Sequence, residues 1–443
     1  MGVSSRIGAD LALIRDEAFA ELCRSRPEDF TRRRKLPRER LVWSVLARKG
    51  RTLAIELRGL KREFGMADPI SKPGYLKARL KLNPLALREL ARSHAAGVYA
   101  DGDYKTYKGM VVVAIDGSTA NVPTTAETLA RWGTSTSNGR PQAAMGISSA
   151  YDPLTRQILD AALNRCSFNE RDEVPKHLAA LPGVIGGLPF MVVLDRGYPS
   201  LALMALLADA GVPFVMRCQP SFLEAEFRAC GAGGGDLWAE VRLTRRRLRH
   251  RLASDPDVAE SLLARGSLRA RLVLLDVGGA SPERVATNVG ADVLSKGELA
   301  EVYHLRWGVE TCFEFMKDRL QLENFTGASP TLIEQDVWAT AYLANVAFDM
   351  ANEAEAEALR GVPEGRYRHA MAVNRTLAIG ILKDELIGLV LADDRERDAM
   401  MADIVAELGR CLVPIRPDRP AYSRDGLKSH RACKYSNTHK RAF

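Results

Sequence analysis

The sequence lacks the features of a membrane, secreted or disulfide-stabilised protein. No apolar run approaches the roughly 18 residues that a membrane-spanning helix needs. The first residues place acids inside their apolar part and contain no cleavage pattern, unlike a signal peptide. The seven cysteines form no Cys-x-x-Cys pair, which argues against a disulfide framework or a zinc site. We therefore expect a cytoplasmic protein with reduced thiols and no membrane partner.

Low-complexity segments and internal repeats are also missing. Of the 443 residues, 46% are hydrophobic and 27% are charged, which is typical of globular proteins and excludes a disordered or fibrous chain. At roughly 100–200 residues per domain, this length indicates two to four structural units.

Charge is distributed unevenly along the chain. Residues 1–109 carry 24 Lys and Arg against 13 Asp and Glu, whereas residues 110–409 carry 30 against 40. Residues 410–443 carry nine against two. Basic flanks suit a protein that binds nucleic acid, and an acidic centre suits a cation site. Chance fluctuation and solvated charged faces explain the pattern about as well.

The N-terminal hundred residues show helical periodicity. Within them, the segment from Ile70 to Leu90 indicates two short helices, capped by Ser71 and by Asn83 before Pro84. The pattern fits a helix-turn-helix, and it fits a plain helical bundle with a basic solvent face almost equally well. The basic residues that favour DNA binding on the first helix include Lys72, Lys77 and Arg79.

From Met110 the pattern changes to that of a mixed α/β sheet. The runs MVVVAID (110–116) and PFMVVLD (189–195) are typical of strands buried on both faces, and residues 142–163 indicate a hairpin. Strands in a meander, followed by alternating helices and strands, predict a sheet with helices on its faces. Residues 219–292 interrupt this pattern and predict a β-rich insertion, and the chain is strongly helical from Lys296 onward.

Two acids follow the two buried strands. Asp116 and Asp195 each end an apolar run, and ligands of open α/β sheets bind at the carboxyl ends of strands. Adjacent strands would bring the two carboxylates together, which favours a Mg²⁺ or Mn²⁺ site. An acid after a strand also starts turns and caps helices, and this structural interpretation has about equal weight.

A third element is the helix predicted over 296–320. At roughly 100° per residue, four side chains fall within about a 60° sector and could supply one metal ligand and three phosphate contacts. The alternative is an amphipathic surface helix with an ion pair at i,i+4 spacing. Periodicity does not separate Glu310 from Glu314. The four side chains are Tyr303, Arg306, Glu310 and Lys317.

The spacing Tyr-x2-Arg-x3-Glu-x6-Lys, downstream of AIDGST and VVLDRGY, resembles the DDE transposases of bacterial insertion sequences. The branch is the one named after insertion sequence four, and the likeness runs from about residue 37 to about residue 392. It includes ISKPGYLKARLKL near residue 70 and YHLRWGVETCFEFMKDRLQLENFTG at 303–327. The departures are Gly308, where a polar residue is usual, and an Arg-rich insertion.

The resemblance implies a ribonuclease-H-like core that is interrupted by the β-rich insertion before its last catalytic helix. It also implies that Asp116, Asp195 and Glu310 bind two Mg²⁺ or Mn²⁺ ions, and that Tyr303, Arg306 and Lys317 hold the phosphates of the DNA end. The implied activity is metal-dependent cleavage and strand transfer at insertion-sequence ends. A transposase-derived protein that only binds DNA and a nuclease without strand joining are the alternatives.

The domain organisation and partners follow from the same interpretation. Residues 1–105 are expected to form a helical DNA-binding domain, and 106–218 with 293–392 the catalytic core. The insertion then spans 219–292, and 393–443 is a basic C-terminal region. Expected partners are double-stranded DNA with terminal inverted repeats and target DNA, bound by a dimer in the synaptic complex. DNA binding would associate the protein with the bacterial nucleoid.

Overall fold

The computed structural model describes residues 2–32, 35–137, 140–276, 282–363 and 365–415. These residues form a mixed α/β structure in which helices cover a nine-stranded sheet, as the alternation of strand and helix patterns predicts. The cysteines within the described ranges are all free thiols. No helix among the described residues is both long and apolar enough to cross a bilayer.

The sheet has the strand order β2-β3-β1-β5-β6-β9-β8-β7. The ninth strand, β4, pairs with β3 on the edge opposite β1. Strands β1, β5 and β6 are parallel, whereas β3 and β4 pair antiparallel beside β1. A separate pair, β10 and β11, is antiparallel. The strands are β1 (Val111–Asn121), β2 (Thr134–Ser137), β3 (Arg140–Asp152), β4 (Gln157–Arg165), β5 (Phe190–Leu194), β6 (Phe214–Cys218), β7 (Asp236–Arg242), β8 (Ser267–Leu275), β9 (Glu283–Thr287), β10 (Met371–Val373) and β11 (Leu412–Pro414).

Helices surround this sheet and build a bundle at one side of it. Several begin at a side-chain cap, such as Ser71, Asn83 and Ser295. The helices are α1 (Val3–Arg15), α2 (Glu17–Leu22), α3 (Arg38–Leu46), α4 (Leu53–Glu63), α5 (Lys72–Arg79), α6 (Pro84–Ala100), α7 (Ala126–Trp132), α8 (Val174–Ala180), α9 (Pro182–Ile185), α10 (Leu201–Asp209), α11 (Glu224–Ala232), α12 (Arg249–Ser254), α13 (Pro256–Arg265), α14 (Lys296–Leu305), α15 (Trp307–Glu314), α16 (Pro330–Leu359), α17 (Arg375–Leu391) and α18 (Asp394–Gly409).

The segment 219–292 continues the central sheet. Its strands β9, β8 and β7 pair antiparallel beyond β6, at the positions where strand patterns predict them. It also contains three helices, α11 to α13, which the pattern did not predict. Helix α11 runs into the Gly-rich stretch and α12 begins within the Arg-rich run, where few apolar residues mark a helical period, whereas α13 begins at Pro256 after the cap Asp255. The segment is therefore a mixed α/β extension of the sheet.

The N-terminal helices share one hydrophobic core with the C-terminal helices. Helix α6 packs along α16, and α1 packs against α6 and α18. Buried ion pairs cross the same interface, including Arg6 Nε to Asp349 Oδ2 at 2.7 Å. The first hundred residues are therefore part of a larger helical body, because their apolar faces are covered by helices from the other end of the chain.

The helix predicted over 296–320 is divided in the structure. It breaks at Arg306 between α14 and α15, and it ends in one turn of π-helix, Phe315–Arg319. The basic C-terminal region 393–443 contains α18 and β11, and residues 416–443 lie outside the described residues.

Candidate active site

Asp116 and Asp195 lie on neighbouring parallel strands. The parallel register of β1 and β5 ends with Ile115 opposite Leu194, so each acid occupies the first position beyond it. The prediction that Asp116 ends its strand is wrong, because β1 continues to Asn121. Past Asp116, β1 remains paired with β3 alone, with Asp116 opposite Ser149. The two carboxylates still emerge at one edge of the parallel strands.

The Asp116 carboxylate is partly buried and surrounded by more negative than positive charge. Burial raises its pKa to about 6, the N–H of Gly117 partly opposes this at 2.8 Å, and the charges of Glu170 and Glu310 add to the rise. Arg306 Nη1 lies 3.7 Å from Asp116 Oδ2 and partly offsets the repulsion. A carboxylate in this setting gains from an additional cation.

Asp195 is hydrogen-bonded by a residue of helix α14. The Tyr303 hydroxyl donates a hydrogen bond to Asp195 Oδ1 at 3.2 Å. Arg217 Nη1 lies 4.0 Å from the same oxygen, and its Nη2 pairs more closely with Glu283 Oε1, at 2.7 Å. Burial and the Asp195 charge raise the pKa of Tyr303 to about 12, so its proton stays available for this hydrogen bond.

Arg306 links the third acid to the other two. Its side chain is only 2% exposed, and Nη1 donates to Glu310 Oε1 at 2.7 Å. The guanidinium stacks over Trp307 at 4.7 Å from the ring centroid. Its Nε atom is buried, with no hydrogen-bond partner in the described part of the chain. Arg306 therefore faces the acids of the site.

The geometry separates Glu310 from Glu314, which periodicity did not. Glu310 is half-buried on the Arg306 side of α15, and its charge acts on Asp116. Glu314 is exposed, one turn further along the helix. Gly308 stands where α15 approaches the β3–β4 turn, and a Cβ there would fall 2.6 Å from Pro153 Cβ.

Lys317 contacts the continuation of β1. Its Nζ donates to Ser118 Oγ and to the Thr119 carbonyl, both at 2.8 Å. Burial lowers the pKa of this lysine. The four side chains predicted on one side of the helix therefore lie along β1. The helix itself is broken at Arg306 and passes into a π-turn at Lys317. Such turns often occur at functional sites.

Sequence reasoning missed Glu170 and Tyr198. Glu170 begins a short 3-10 turn between β4 and α8, and burial together with the Asp195 charge raises its pKa. Tyr198 is fully buried, and its hydroxyl has no hydrogen-bond partner among the residues described. Burial and the charges of Glu170, Asp116 and Asp195 raise its pKa well above the usual range. Neither residue carries a periodic signal, because both lie in loops.

The donor set suits a hard divalent cation. Its members are carboxylates, which Mg²⁺ and Mn²⁺ prefer, and the buried Tyr198 hydroxyl beside them has no hydrogen-bond partner in the ranges that the structure describes. Within the described residues, no three His, Cys, Asp or Glu side chains already surround one point. The acids of the site are held apart because Asp195 is hydrogen-bonded by Tyr303 and Glu310 is hydrogen-bonded by Arg306.

A cleft of about 1070 Å³ opens beside the acids, between α10 and the helices of the insertion. Its wall includes Arg196, which directly follows Asp195, and several arginines of the RRRLRHR run. Some of these are already paired, such as Arg247 with Glu226 at 2.5 Å. The cleft is therefore a mixed polar and apolar groove with a partly compensated basic wall.

The basic residues predicted on α5 divide into two groups. Lys72 and Lys77 are exposed, as a DNA contact requires. The prediction for Arg79 is wrong, since this side chain is 0% exposed. Its Nε donates to Gln335 at 2.8 Å, and Nη2 pairs with Asp336 at 2.8 Å. Arg79 fastens α5 to α16 and is unavailable to a ligand.

The chain is similar to known transposases. Residues 107–346 match the family model described as "Transposase DDE domain". Transposase InsG for insertion sequence element IS4 of Escherichia coli (strain K12) is 23% identical over 340 residues, which cover 73% of this chain and 72% of that protein. The piggyBac transposase in a synaptic complex with hairpin DNA aligns with 97% of this chain and 90% of its own, at 12% identity and a TM-score of 0.46.

Proposed function

Because this chain belongs to the transposase DDE domain family and is a DNA transposase, we propose that Asp116, Asp195 and Glu310 are its metal-binding catalytic triad. Enzymes of this family depend on divalent metal to cleave DNA and transfer strands. The observation that carries the proposal is the convergence of three elements. Two acids lie beyond the parallel register of β1 and β5, and Arg306 brings Glu310 of α15 to Asp116.

We propose a ribonuclease-H-like arrangement for the catalytic core, within 106–218 and 293–392. Strands β1, β3 and β4 form an antiparallel meander, and the parallel strands β5 and β6 continue from β1. The sheet extension 219–292 separates this half from α14 and α15, which carry the remaining site residues.

Two Mg²⁺ or Mn²⁺ ions held by the triad would activate the attacking oxygen and stabilise the leaving oxygen of an in-line displacement. The protein residues orient the acids and the DNA for this chemistry. Tyr303 donates to Asp195 and fixes its rotamer, and Arg306 does the same for Glu310. Tyr303, Arg306 and Lys317 are also the proposed donors to DNA phosphates, because each carries its proton or positive charge beside the acids.

DNA recognition is proposed for the basic N-terminal helices, residues 1–105, through Lys72 and Lys77. Their exposure on α5 supports this role. The ligands would be insertion-sequence ends with terminal inverted repeats and target DNA, held by a dimer in a synaptic complex at the nucleoid. The arginine-lined cleft of the insertion offers a second surface, next to the residue that follows Asp195.

Two alternatives remain within the same family. A domesticated protein that only binds DNA would not need the triad, yet all three acids and their hydrogen-bonding partners are present. A nuclease without strand joining would use the same acids. Incubating the full-length protein with end-containing DNA and target DNA separates these functions, because joined products form only in strand transfer.

Variants of the triad test the proposed roles in the same assay. Glu310→Ala should abolish cleavage and joining, whereas Glu314→Ala, the matched control one turn away, should retain both. Cleavage by Glu310→Ala at the wild-type rate would contradict the triad. Cleavage without joined products by the wild type would instead indicate a nuclease.

A further inference from the structure

The turn that carries Glu170 is fastened to the loop that carries Asp195. Arg171 Nε donates a hydrogen bond to the Gly197 carbonyl at 2.9 Å. The turn is capped by Asn169, whose Oδ1 accepts from the Arg171 N–H. These contacts place the carboxylate of Glu170 over the strand ends, although its own position in the sequence is between β4 and α8.

Two glycines make room for this carboxylate. Gly117 directly follows Asp116, and a Cβ built on it would fall 2.7 Å from Glu170 Cδ and 2.9 Å from Glu170 Cγ. A Cβ on Gly197 would lie 3.8 Å from Glu170 Oε2. Gly117 does not have a positive φ, so its backbone conformation does not require glycine. The absence of a side chain at residue 117 instead admits Glu170 to the site.

The position is electrostatically costly without a further cation. No hydrogen bond or ion pair to the Glu170 carboxylate is formed within the ranges that the structure describes, while Asp116 and Asp195 repel it and the Arg171 charge offsets this only in part. The fully buried Tyr198 faces the same three acids and leaves its hydroxyl unpartnered in the described chain. An acid that only stabilised the fold would be expected to pair with a cation or with N–H donors.

We propose that Glu170 is a fourth carboxylate of the active site, which binds the catalytic divalent cation together with Asp116 and Asp195 and is admitted by the missing side chain of Gly117. The inference rests on the proposed triad and extends it by one residue. Tyr198 is a positioning residue in this arrangement. Its hydroxyl can donate a hydrogen bond to one of the acids when they bind the cation.

Binding of Mn²⁺ alone to the full-length protein tests the proposal without relying on activity. Free Mn²⁺ is measured by electron paramagnetic resonance during titration, and melting temperature is followed in parallel with and without the ion. Glu170→Gln should weaken binding about tenfold or more, since it removes a charged ligand. The same variant should melt at or above the wild-type temperature without metal, because it removes a repelled charge.

Two matched variants sharpen the test. Asp172→Asn removes an acid from the same turn that makes no hydrogen bond or ion pair with the triad among the residues the structure describes, and it should bind Mn²⁺ like the wild type. Gly117→Ala keeps all four acids but fills the space beside Asp116, so it should weaken Mn²⁺ binding while its Glu170 remains.

The outcomes distinguish this proposal from the triad itself. If Asp195→Asn weakens Mn²⁺ binding and Glu170→Gln does not, Glu170 is no ligand and the triad stands alone. If neither Asp116→Asn nor Asp195→Asn affects binding, the proposed triad fails as well. A wild-type protein that binds no Mn²⁺ would also overturn a cation site built by these four acids.

Discussion

Two groups of acids in this protein, one buried in the helical body and one partly buried at the strand ends, have opposite charge environments. In the helical body, Asp349 pairs with Arg6 at 2.7 Å and lies 3.5 Å from His94 Nε2. Burial alone would raise the pKa of Asp349, yet His94 and Arg6 hold it below its usual range. At the strand ends, burial and neighbouring carboxylates instead raise the pKa of Asp116 to about 6.

The difference distinguishes an acid that the fold neutralises from acids that it leaves partly uncompensated. Around Asp349 the protein supplies its own positive charges, so removing either partner leaves an unpaired buried charge. Around Asp116, Arg306 is shared with Glu310. Charge balance therefore distinguishes the two groups, and the strand-end group is the one proposed to bind a cation.

The largest expected effect is on catalysis. Asp116→Asn should reduce DNA cleavage by about a thousandfold or more, because it removes a charged group from the reacting centre. It should leave the melting temperature of the metal-free protein unchanged or raise it, since the charge it removes is repelled. A gel-based cleavage assay and a thermal melt on one preparation measure both effects. If Asp116→Asn is strongly destabilised but still cleaves DNA, then Asp116 stabilises the fold as Asp349 does, and the contrast between the two groups of acids is wrong.

The reverse result is expected at the helical group. Asp349→Ala should lower the free energy of unfolding by about 3–5 kcal/mol, because Arg6 and His94 lose their buried partner. Urea unfolding followed by circular dichroism measures this change. Glu314→Ala, at an exposed site, serves as the control and should change it little. A loss below about 1 kcal/mol would show that the pair is replaceable by water or by other partners.

The pH dependence of the free energy of unfolding should reflect the ion pairs of the helical body, through His94. Burial would lower the pKa of His94, but Asp10 and Asp349 raise it to about 9. Because the folded pKa lies above the unfolded value of about 6.5, the stabilisation is complete below pH 6.5 and is lost as pH rises through 9. The contribution is on the order of 3 kcal/mol. Urea unfolding of wild type and His94→Gln at several pH values from 6 to 9.5 should show the pH-dependent difference, and parallel curves would contradict it.

The smallest effect concerns DNA binding by α5. Lys72→Ala or Lys77→Ala should each weaken DNA binding modestly and reduce the slope of log affinity against log salt by about one. Lys108→Ala is the control, since that lysine pairs with Glu298 at 2.6 Å. Arg79→Ala should destabilise the protein instead. An unchanged salt slope in both α5 variants would move recognition to the arginine-lined cleft.

Much of the catalytic centre was predictable because its signals are local. Apolar runs ending in Asp116 and Asp195 mark strands buried on both faces, and the spacing from Tyr303 to Lys317 marks one side of a helix. The family resemblance selected Glu310, and its pairing with Arg306 agrees with that choice. The register of a parallel pair then brings together acids that the sequence separates by a long segment.

The family was predictable from the sequence through its signature, and the same resemblance implied the triad proposed here, while local periodicity indicated the core strands and several helices. The burial of Arg79 follows only from the folded structure, because its partners Gln335 and Asp336 lie on a helix far along the chain. The position of Glu170 beside Asp116 also follows only from the fold, because Gly117 of β1 leaves the space that its carboxylate occupies. Both outcomes depend on contacts between distant segments, and no local pattern encodes such contacts.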